Sequence, residues 1–229
     1  MSDARDNVTP FRGPAGQRHR EHLRIVEALL FASDRPLDAD ALARHLPEGA
    51  DVAAMLSELA QLYAPRGVNV VRVAGGWIFR TAPDLAHLLR TEDEEPRKLS
   101  RAAMETLAII AYHQPVTRAE IEAVRGVAVS KGTLDILLET GWIRLRGRRR
   151  VPGRPVTFGT TETFLVHFGL DRVSDLPGLE DLKAAGLLEG TPPAGFSEPI
   201  PSDGDALAPD EDPLGDDDGG LDTEDAGDR

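Results

Sequence analysis

Apolar and polar positions along the body of the chain follow a pattern that predicts three helices and then a β-hairpin. A strongly apolar helix is expected at about 21–33, and Asp38 is placed to cap a short second helix. A third helix follows, with apolar residues three and four positions apart between Val52 and Leu62. The period then falls to two in 68–81, which predicts two strands around a glycine-rich turn. Three helices and a two-stranded hairpin are the elements of a winged-helix unit.

The same succession of elements recurs further along the chain, shifted by the 79 positions that separate Pro36 from Pro115. The second copy is predicted to contain an apolar helix at 100–113, a short helix with a capping box at Thr117 and Glu120, a third helix at 130–140 and a hairpin at 142–158. Prolines, aromatic side chains and strand ends match between the copies, which indicates a duplicated unit. The predicted fold is therefore mainly α with small β-hairpins (α+β), in the form of tandem winged-helix domains.

The composition divides the chain into two folded domains, a linker and two disordered tails. The expected boundaries are a disordered N-terminal tail at 1–20, a first winged-helix domain at 21–90, a linker at 91–98, a second winged-helix domain at 99–188 and an acidic disordered tail at 189–229. Short helices at 161–170 and 175–188 are expected to close the second domain. The last segment holds fourteen carboxylates and one arginine, a balance equal to the formal net charge of −13 of the whole chain. Because it has few large apolar side chains, a solubilising tail is favoured over a docking segment.

The residue types exclude several classes of chemistry. The chain has no cysteine, so it forms no disulfide and no thiolate zinc site. Its six histidines make no clustered ligand pattern, and the order of Lys131, Gly132 and Thr133 after a predicted helix is not that of a phosphate-binding loop. We therefore expect no cofactor, no metal, no catalytic residue and no enzymatic activity. The polar N-terminus and the short apolar runs predict a cytoplasmic protein without a membrane span.

Six arginines lie close together in the second hairpin, although the chain as a whole is acidic. They are Arg144, Arg146, Arg148, Arg149, Arg150 and Arg154. Alternation along the strand places Ile143 and Leu145 inward and the arginines at 144 and 146 outward. Three roles stay open for this cluster: a solvated hairpin, a contact with an acidic protein surface or the chain's own acidic tail, and phosphate binding without sequence selectivity.

The predicted third helices are poor candidates for recognising a DNA sequence. The segment 51–64 contains no Lys and no Arg, and 130–140 has Lys131 on one face with Asp135 and Glu139. Recognition helices need side chains that donate to phosphates and base edges, whereas carboxylates repel the DNA backbone. A winged-helix transcription regulator is therefore the weaker alternative.

The first helix of each copy is apolar around most of its circumference. In the segment 23–31, six large apolar side chains cannot all lie on one narrow stripe. Helices of this kind are buried on several sides. The helix is either the central core helix of its own domain or packs in addition against a second copy of the chain, another subunit or the neighbouring domain.

Several separated segments together resemble the family of bacterial segregation and condensation protein B (ScpB). They are 25–42, 73–86, 99–127 and 147–177, and the resemblance extends over about 21–188. It implies two winged-helix domains and a homodimer formed mainly through the first. It also implies a non-catalytic subunit of the bacterial condensin-like complex, in which the dimer binds the kleisin ScpA and, through it, the SMC ATPase. Such a protein acts at the nucleoid in chromosome condensation and segregation during cell division, with weak or indirect contact to DNA.

The resemblance also implies two sets of contact residues. The dimer contact is expected at Leu23, Val26, Leu30 and Phe31. The kleisin contact is expected near the central signature, at Tyr112, Arg118 and Ile121. The acidic tail and the arginine-dense hairpin loop depart from the family pattern and leave an additional contact open. An interaction module with no chromosomal role is the third alternative.

Overall fold

The computed structural model describes residues 14–89, 99–178 and 206–215. The chain divides into two compact units, Met1–Glu94 and Glu95–Arg229, and the division falls within the predicted linker at 91–98. Both units are mixed α+β, and in each of them three helices precede an antiparallel hairpin. Within the three described ranges, no helix combines the length and the apolar character that a membrane crossing requires.

The described part of the first unit contains three α-helices, one hairpin and a final 3₁₀ helix. In chain order they are α1 (Pro14–Ala32), α2 (Ala39–Ala43), α3 (Val52–Tyr63), β1 (Val68–Val73), β2 (Gly76–Thr81) and the 3₁₀ helix Pro83–Leu89. The helix α1 begins before the predicted residue 21. The prediction missed its first turns because they are polar and lack the apolar spacing on which the prediction depends. Disorder was expected throughout 1–20, and this expectation is wrong for residues 14–20.

The core of the first unit lies between α1, α3 and the hairpin. Its most buried side chains include Val26, Leu30, Leu42, Leu56 and Leu59. Leu37 and Trp77 exchange two backbone hydrogen bonds, with N–O distances of 2.9 and 2.8 Å. This bridge holds the turn before α2 against the hairpin.

The second unit repeats this order and adds a larger sheet. Its elements are α4 (Arg101–His113), β3 (Val116–Thr117), α5 (Arg118–Arg125), α6 (Lys131–Glu139), β4 (Ile143–Arg149), β5 (Val156–Thr160), α7 (Glu162–Phe168), the 3₁₀ helix Val173–Asp175 and β6 (Glu211–Pro213). The strands pair in the order β3-β5-β4-β6, and all neighbouring pairs are antiparallel.

The starts of the second and third helices are equivalent in the two units. Asp38 caps α2 and Thr117 caps α5, and each side chain accepts from the backbone amide three residues further on. Asp51 caps α3 and Ser130 caps α6 in the same manner. The predicted capping box of Thr117 and Glu120 is confirmed, because both reciprocal hydrogen bonds are present. Both pairs of caps are separated by the 79 positions found in the sequence, which supports the duplicated unit.

The second unit has a core of its own, closed by the predicted helix at 161–170, which is confirmed as α7. The buried side chains of this core include Leu107, Ile110, Val116, Ile121, Leu137, Phe158 and Phe164. The ring of Trp142 lies 4.3 Å from that of His167 and 5.4 Å from that of Phe168, measured between centroids. Of the helix predicted at 175–188, the described part shows only the end of a 3₁₀ turn, and the remainder lies outside the described residues.

A strand from the acidic tail joins the sheet of the second unit. The strand β6 pairs with β4, in a register that places Glu211 opposite Arg149 and Pro213 opposite Gly147. Disorder was expected throughout 189–229, and this expectation is wrong for residues 206–215. A shortage of large apolar side chains predicts disorder, whereas this segment is held by backbone pairing and by charges of a hairpin distant in the sequence. The other residues of both predicted tails lie outside the described ranges.

Candidate partner-binding surfaces

The arginine hairpin, which consists of β4, β5 and their loop (residues 143–160), carries all six arginines of the predicted cluster. Its register shifts between Leu145, which pairs with Phe158, and Arg148, which pairs with Val156. An irregularity of this kind increases the local twist and changes the direction of side chains. Residues 206–215, the tail segment, lie along the edge of β4 that β5 leaves open.

Arg146 and Glu211 form a buried ion pair at the centre of this contact. Their side chains are 5% and 0% exposed, and Nη2 of the arginine lies 3.7 Å from Oε2 of the glutamate. The glutamate also accepts from Thr157 Oγ1 at 2.6 Å and from the Ala208 amide at 2.8 Å, and Arg146 donates to the Ala206 carbonyl at 2.7 Å. A carboxylate without exposed surface needs such partners to offset its lost hydration. The tail segment therefore covers the outward face predicted for Arg146.

Three further arginines bind the two carboxylates beside Glu211. Arg149 Nη1 lies 2.7 Å from Asp210 Oδ2. Asp212 binds two guanidinium groups, with Arg150 Nε at 2.6 Å from Oδ1 and Arg154 Nη2 at 2.9 Å from Oδ2. The hydrogen bond from Arg150 is the main cause that lowers the pKa of Asp212, and Arg154 acts in the same direction. Exposed ion pairs are individually weak, but all three of these join the same short segment to the hairpin.

The remaining two arginines bind carbonyl groups of the hairpin itself. Arg144 donates from Nε to the Thr160 carbonyl at 3.4 Å, and Arg148 donates from Nη1 to the Arg154 carbonyl at 3.1 Å. Of the three roles left open by the sequence, the structure contains the contact with the chain's own tail. Glu211 could not be identified in advance, because nothing local distinguishes it from the other thirteen carboxylates in 189–229.

Gly147 allows the tail segment to approach the backbone of the hairpin. A Cβ atom at this position would lie 2.5 Å from the carbonyl oxygen of Asp212 and 2.9 Å from a methyl carbon of Leu207. Both distances are far below van der Waals contact, so a methyl group would push the tail segment away. Because the three nearest atoms all belong to this segment, the hairpin itself has room for the added group.

The four residues predicted for the dimer contact are divided between core and surface. Leu23, Val26 and Leu30 are buried in the core of the first unit, whereas Phe31 is 82% exposed. Arg24 and Ala28, on the preceding turns of α1, are exposed as well. The surface that α1 offers to another protein therefore has Phe31 as its large apolar side chain.

The three residues predicted for the kleisin contact have different environments. Ile121 is buried in the core of the second unit. Arg118 is exposed and donates from Nη2 to the Val129 carbonyl at 2.7 Å, which fixes the loop before α6. Tyr112 donates its hydroxyl to the Pro177 carbonyl at 2.7 Å, and its partial burial raises the pKa of this hydroxyl. Arg118 is thus the exposed charge of this set.

The fold defines a protein of two repeated helix-and-hairpin units, and among the described residues no group of three His, Asp or Glu side chains is placed to hold a metal ion. Residues 24–179 match the family model described as segregation and condensation complex subunit ScpB, and the match includes elements of both units. The chain belongs to this family of non-catalytic condensin subunits, which have a role in chromosome condensation and segregation. The tail segment lies beyond the matched residues.

Two relatives agree in sequence with this family. A segregation and condensation protein B homolog of Coxiella burnetii is 44% identical over 164 residues, which are 69% of this chain and 78% of that protein. Segregation and condensation protein B of Desulforamulus reducens is 47% identical over 169 residues, which are 72% of this chain and 91% of that protein. The crystal structure of ScpB from Mycobacterium tuberculosis is 40% identical, with 66% of this chain and 97% of that chain covered and a TM-score of 0.30.

Proposed function

We propose that this protein is a scaffold subunit of the bacterial SMC condensin-like complex, in which its homodimer binds the kleisin ScpA. The observation that carries the proposal is the family match, which extends over elements of both units. Two winged-helix units provide separate contact surfaces, the first for a second copy of the chain and the second for the kleisin. The SMC ATPase is reached through the kleisin, at the nucleoid in the cytoplasm, and contact with DNA is weak or indirect.

The exposed face of α1 supports the proposed dimer. Interface cores are enriched in aromatic side chains, and Phe31 presents such a side chain to solvent. Leu23, Val26 and Leu30 belong to the same helix, but their side chains pack in the core of the first unit. In this proposal they position α1, and Phe31 makes the contact.

The second unit supplies the proposed kleisin contact around α5. Arg118 presents a charge at the first position of this helix, and Ile121 anchors the helix in the core. Tyr112 ties the end of α4 to the chain after the second 3₁₀ helix through Pro177. The two less exposed residues thus position the surface on which Arg118 lies.

A transcription regulator is the alternative that the composition of the third helices disfavours. The helix α3 contains no Arg and no Lys, and α6 has Lys131 with Asp135 and Glu139 one and two turns further on. Contacts to phosphates and base edges need donors at these positions. Tight binding of a defined duplex by the chain alone would favour this alternative.

The test is reconstitution of the full chain with the kleisin encoded in the same genome, followed by size-exclusion chromatography with light scattering. We expect a dimer alone and a stable complex with the kleisin in the absence of DNA and ATP. Arg118→Glu should weaken the complex by roughly tenfold or more if it lies at the contact, whereas Arg35→Glu, an exposed charge reversal in the first unit, should not. A chain that neither dimerises nor binds the kleisin would contradict the proposal.

A further inference from the structure

The open edge of β4 has the properties of a peptide-binding site. A strand at the edge of a sheet offers backbone amide and carbonyl groups that an extended peptide can pair with. The tail segment occupies this edge over Gly147, Arg148 and Arg149, and the Arg150 amide donates to the Asp210 carbonyl at 2.9 Å. The chain therefore shows which kind of ligand the edge accepts, namely an extended strand.

The pocket beside this edge selects for a carboxylate at one position of the strand. The hairpin contributes the guanidinium of Arg146 and the hydroxyl of Thr157, and Glu211 enters between them with no exposed surface. Arg149 and Arg150 bind the flanking aspartates. A glutamate between two aspartates places a carboxylate against each of these arginines, whereas a DNA duplex cannot supply the strand pairing or a single inserted carboxylate.

The edge also requires close approach of the ligand backbone, and Gly147 makes this possible. The carbonyl oxygen of Asp212 lies where even a single Cβ atom would clash. The absence of a side chain at this position thus favours a strand over a bulkier ligand.

We propose that the β4 edge, with Arg146, Gly147 and Thr157, is a binding site for an extended acidic peptide, and that the tail segment is its tethered occupant. A strand of the same chemistry from another protein binds by displacing the tail segment. Because the occupant belongs to the same chain, it acts at a high effective concentration and keeps the site closed to weak ligands. This site goes beyond the proposed kleisin contact, and its occupant lies outside the residues that the family model matches.

The test measures binding of a labelled peptide, residues 206–215, to the full-length chain by fluorescence anisotropy. Glu211→Ala removes the anchoring carboxylate of the tethered occupant, and we expect this variant to bind the peptide at least about tenfold more tightly than the unaltered chain does. Glu224→Ala makes the same charge change elsewhere in the tail and should leave peptide binding as it is in the unaltered chain. A peptide with glutamine in place of Glu211 should bind about tenfold more weakly than the original peptide.

A second substitution closes the site again. In the Glu211→Ala background, Gly147→Ala places a methyl group where the peptide backbone must lie, and we expect peptide binding to be lost. The matched control is Gly132→Ala, because a Cβ atom there meets nothing within 4 Å. Should Glu211→Ala fail to fold, Asp212→Asn provides an opening variant at a more exposed position.

Three results would overturn the proposal. One is an opened variant that binds the peptide no better than the unaltered chain does. Another is undiminished peptide binding after Gly147→Ala. The third is an opened variant that gains binding to duplex DNA but not to the peptide, because this would assign the arginines to phosphates.

Discussion

At the scale of single residues, hydrogen bonds at helix starts determine where the elements of both units begin. The Asp51 carboxylate accepts from the Ala54 amide at 3.0 Å and satisfies a donor that the first turn of α3 leaves without an intrahelical partner. Such caps could be predicted because donor and acceptor lie three positions apart in the sequence. The contact between Glu211 and Thr157 could not be predicted, because 54 positions of the chain separate the two residues.

Asp51→Ala should lower the free energy of unfolding of the first unit by about 1 kcal/mol, because the α3 amide loses its partner. Asp51→Asn retains an acceptor and should differ from the original chain by a few tenths of a kcal/mol. The measurement is urea unfolding followed by tryptophan fluorescence in a Trp142→Phe background, where Trp77 reports on the first unit alone. Equal losses of unfolding free energy for Asp51→Ala and Asp51→Asn would show that the capping hydrogen bond does not determine the stability.

At the scale of elements, local pattern predicts the helices and the hairpins but not the tail strand. Apolar spacing and caps lie within each helix, so α4 and α6 fall within one residue of the predicted bounds at both ends. The polar first turns of α1 have no apolar period and were therefore missed. The strand β6 has no apolar alternation, and it is held by backbone pairing with β4 and by arginines of the hairpin.

The docking of β6 should weaken in acid. The pKa of Asp212 is lowered in the folded chain by Arg150 and Arg154, so its carboxylate favours docking above the ordinary aspartate pKa. This contribution is lost as the pH falls through the lowered pKa. We expect amide protection in 206–215 to decrease reversibly as the pH falls below the ordinary aspartate pKa of about 4, while the helix amides stay protected.

Backbone amide resonances, followed by NMR during the titration, check this expectation. The charged groups that face the strand are Arg146, Arg149, Arg150 and Arg154 from the hairpin. Unchanged protection of the tail segment in acid would show that strand pairing, rather than charge, holds it.

At the scale of the whole molecule, the first helix illustrates what an apolar pattern leaves undecided. The sequence showed that α1 has more apolar residues than one stripe can hold, but a period of 3.6 residues does not say which of them face the domain's own core. The structure buries Leu23, Val26 and Leu30 and leaves Phe31 exposed. Of the four residues that the sequence suggested for the dimer contact, Phe31 is therefore the one that we propose makes it.

Phe31→Glu should convert the proposed dimer into a folded monomer. Because this side chain is 82% exposed, its replacement should leave the circular dichroism spectrum of the folded chain nearly unchanged. Light scattering gives the mass of the variant in solution. Val127→Glu, an exposed substitution in the second unit, serves as the control and should remain dimeric. A Phe31→Glu chain that is still a dimer would place the contact elsewhere.

We have proposed that this chain is a condensin scaffold that reaches the SMC ATPase through a kleisin. The most direct measurement is an affinity pull-down of the full chain from native cytosol after nuclease treatment, with the bound proteins identified by mass. We expect recovery of a kleisin and a long coiled-coil ATPase without DNA. Absence of both proteins, together with protection of a defined duplex sequence by the purified chain, would contradict it and favour a transcription regulator.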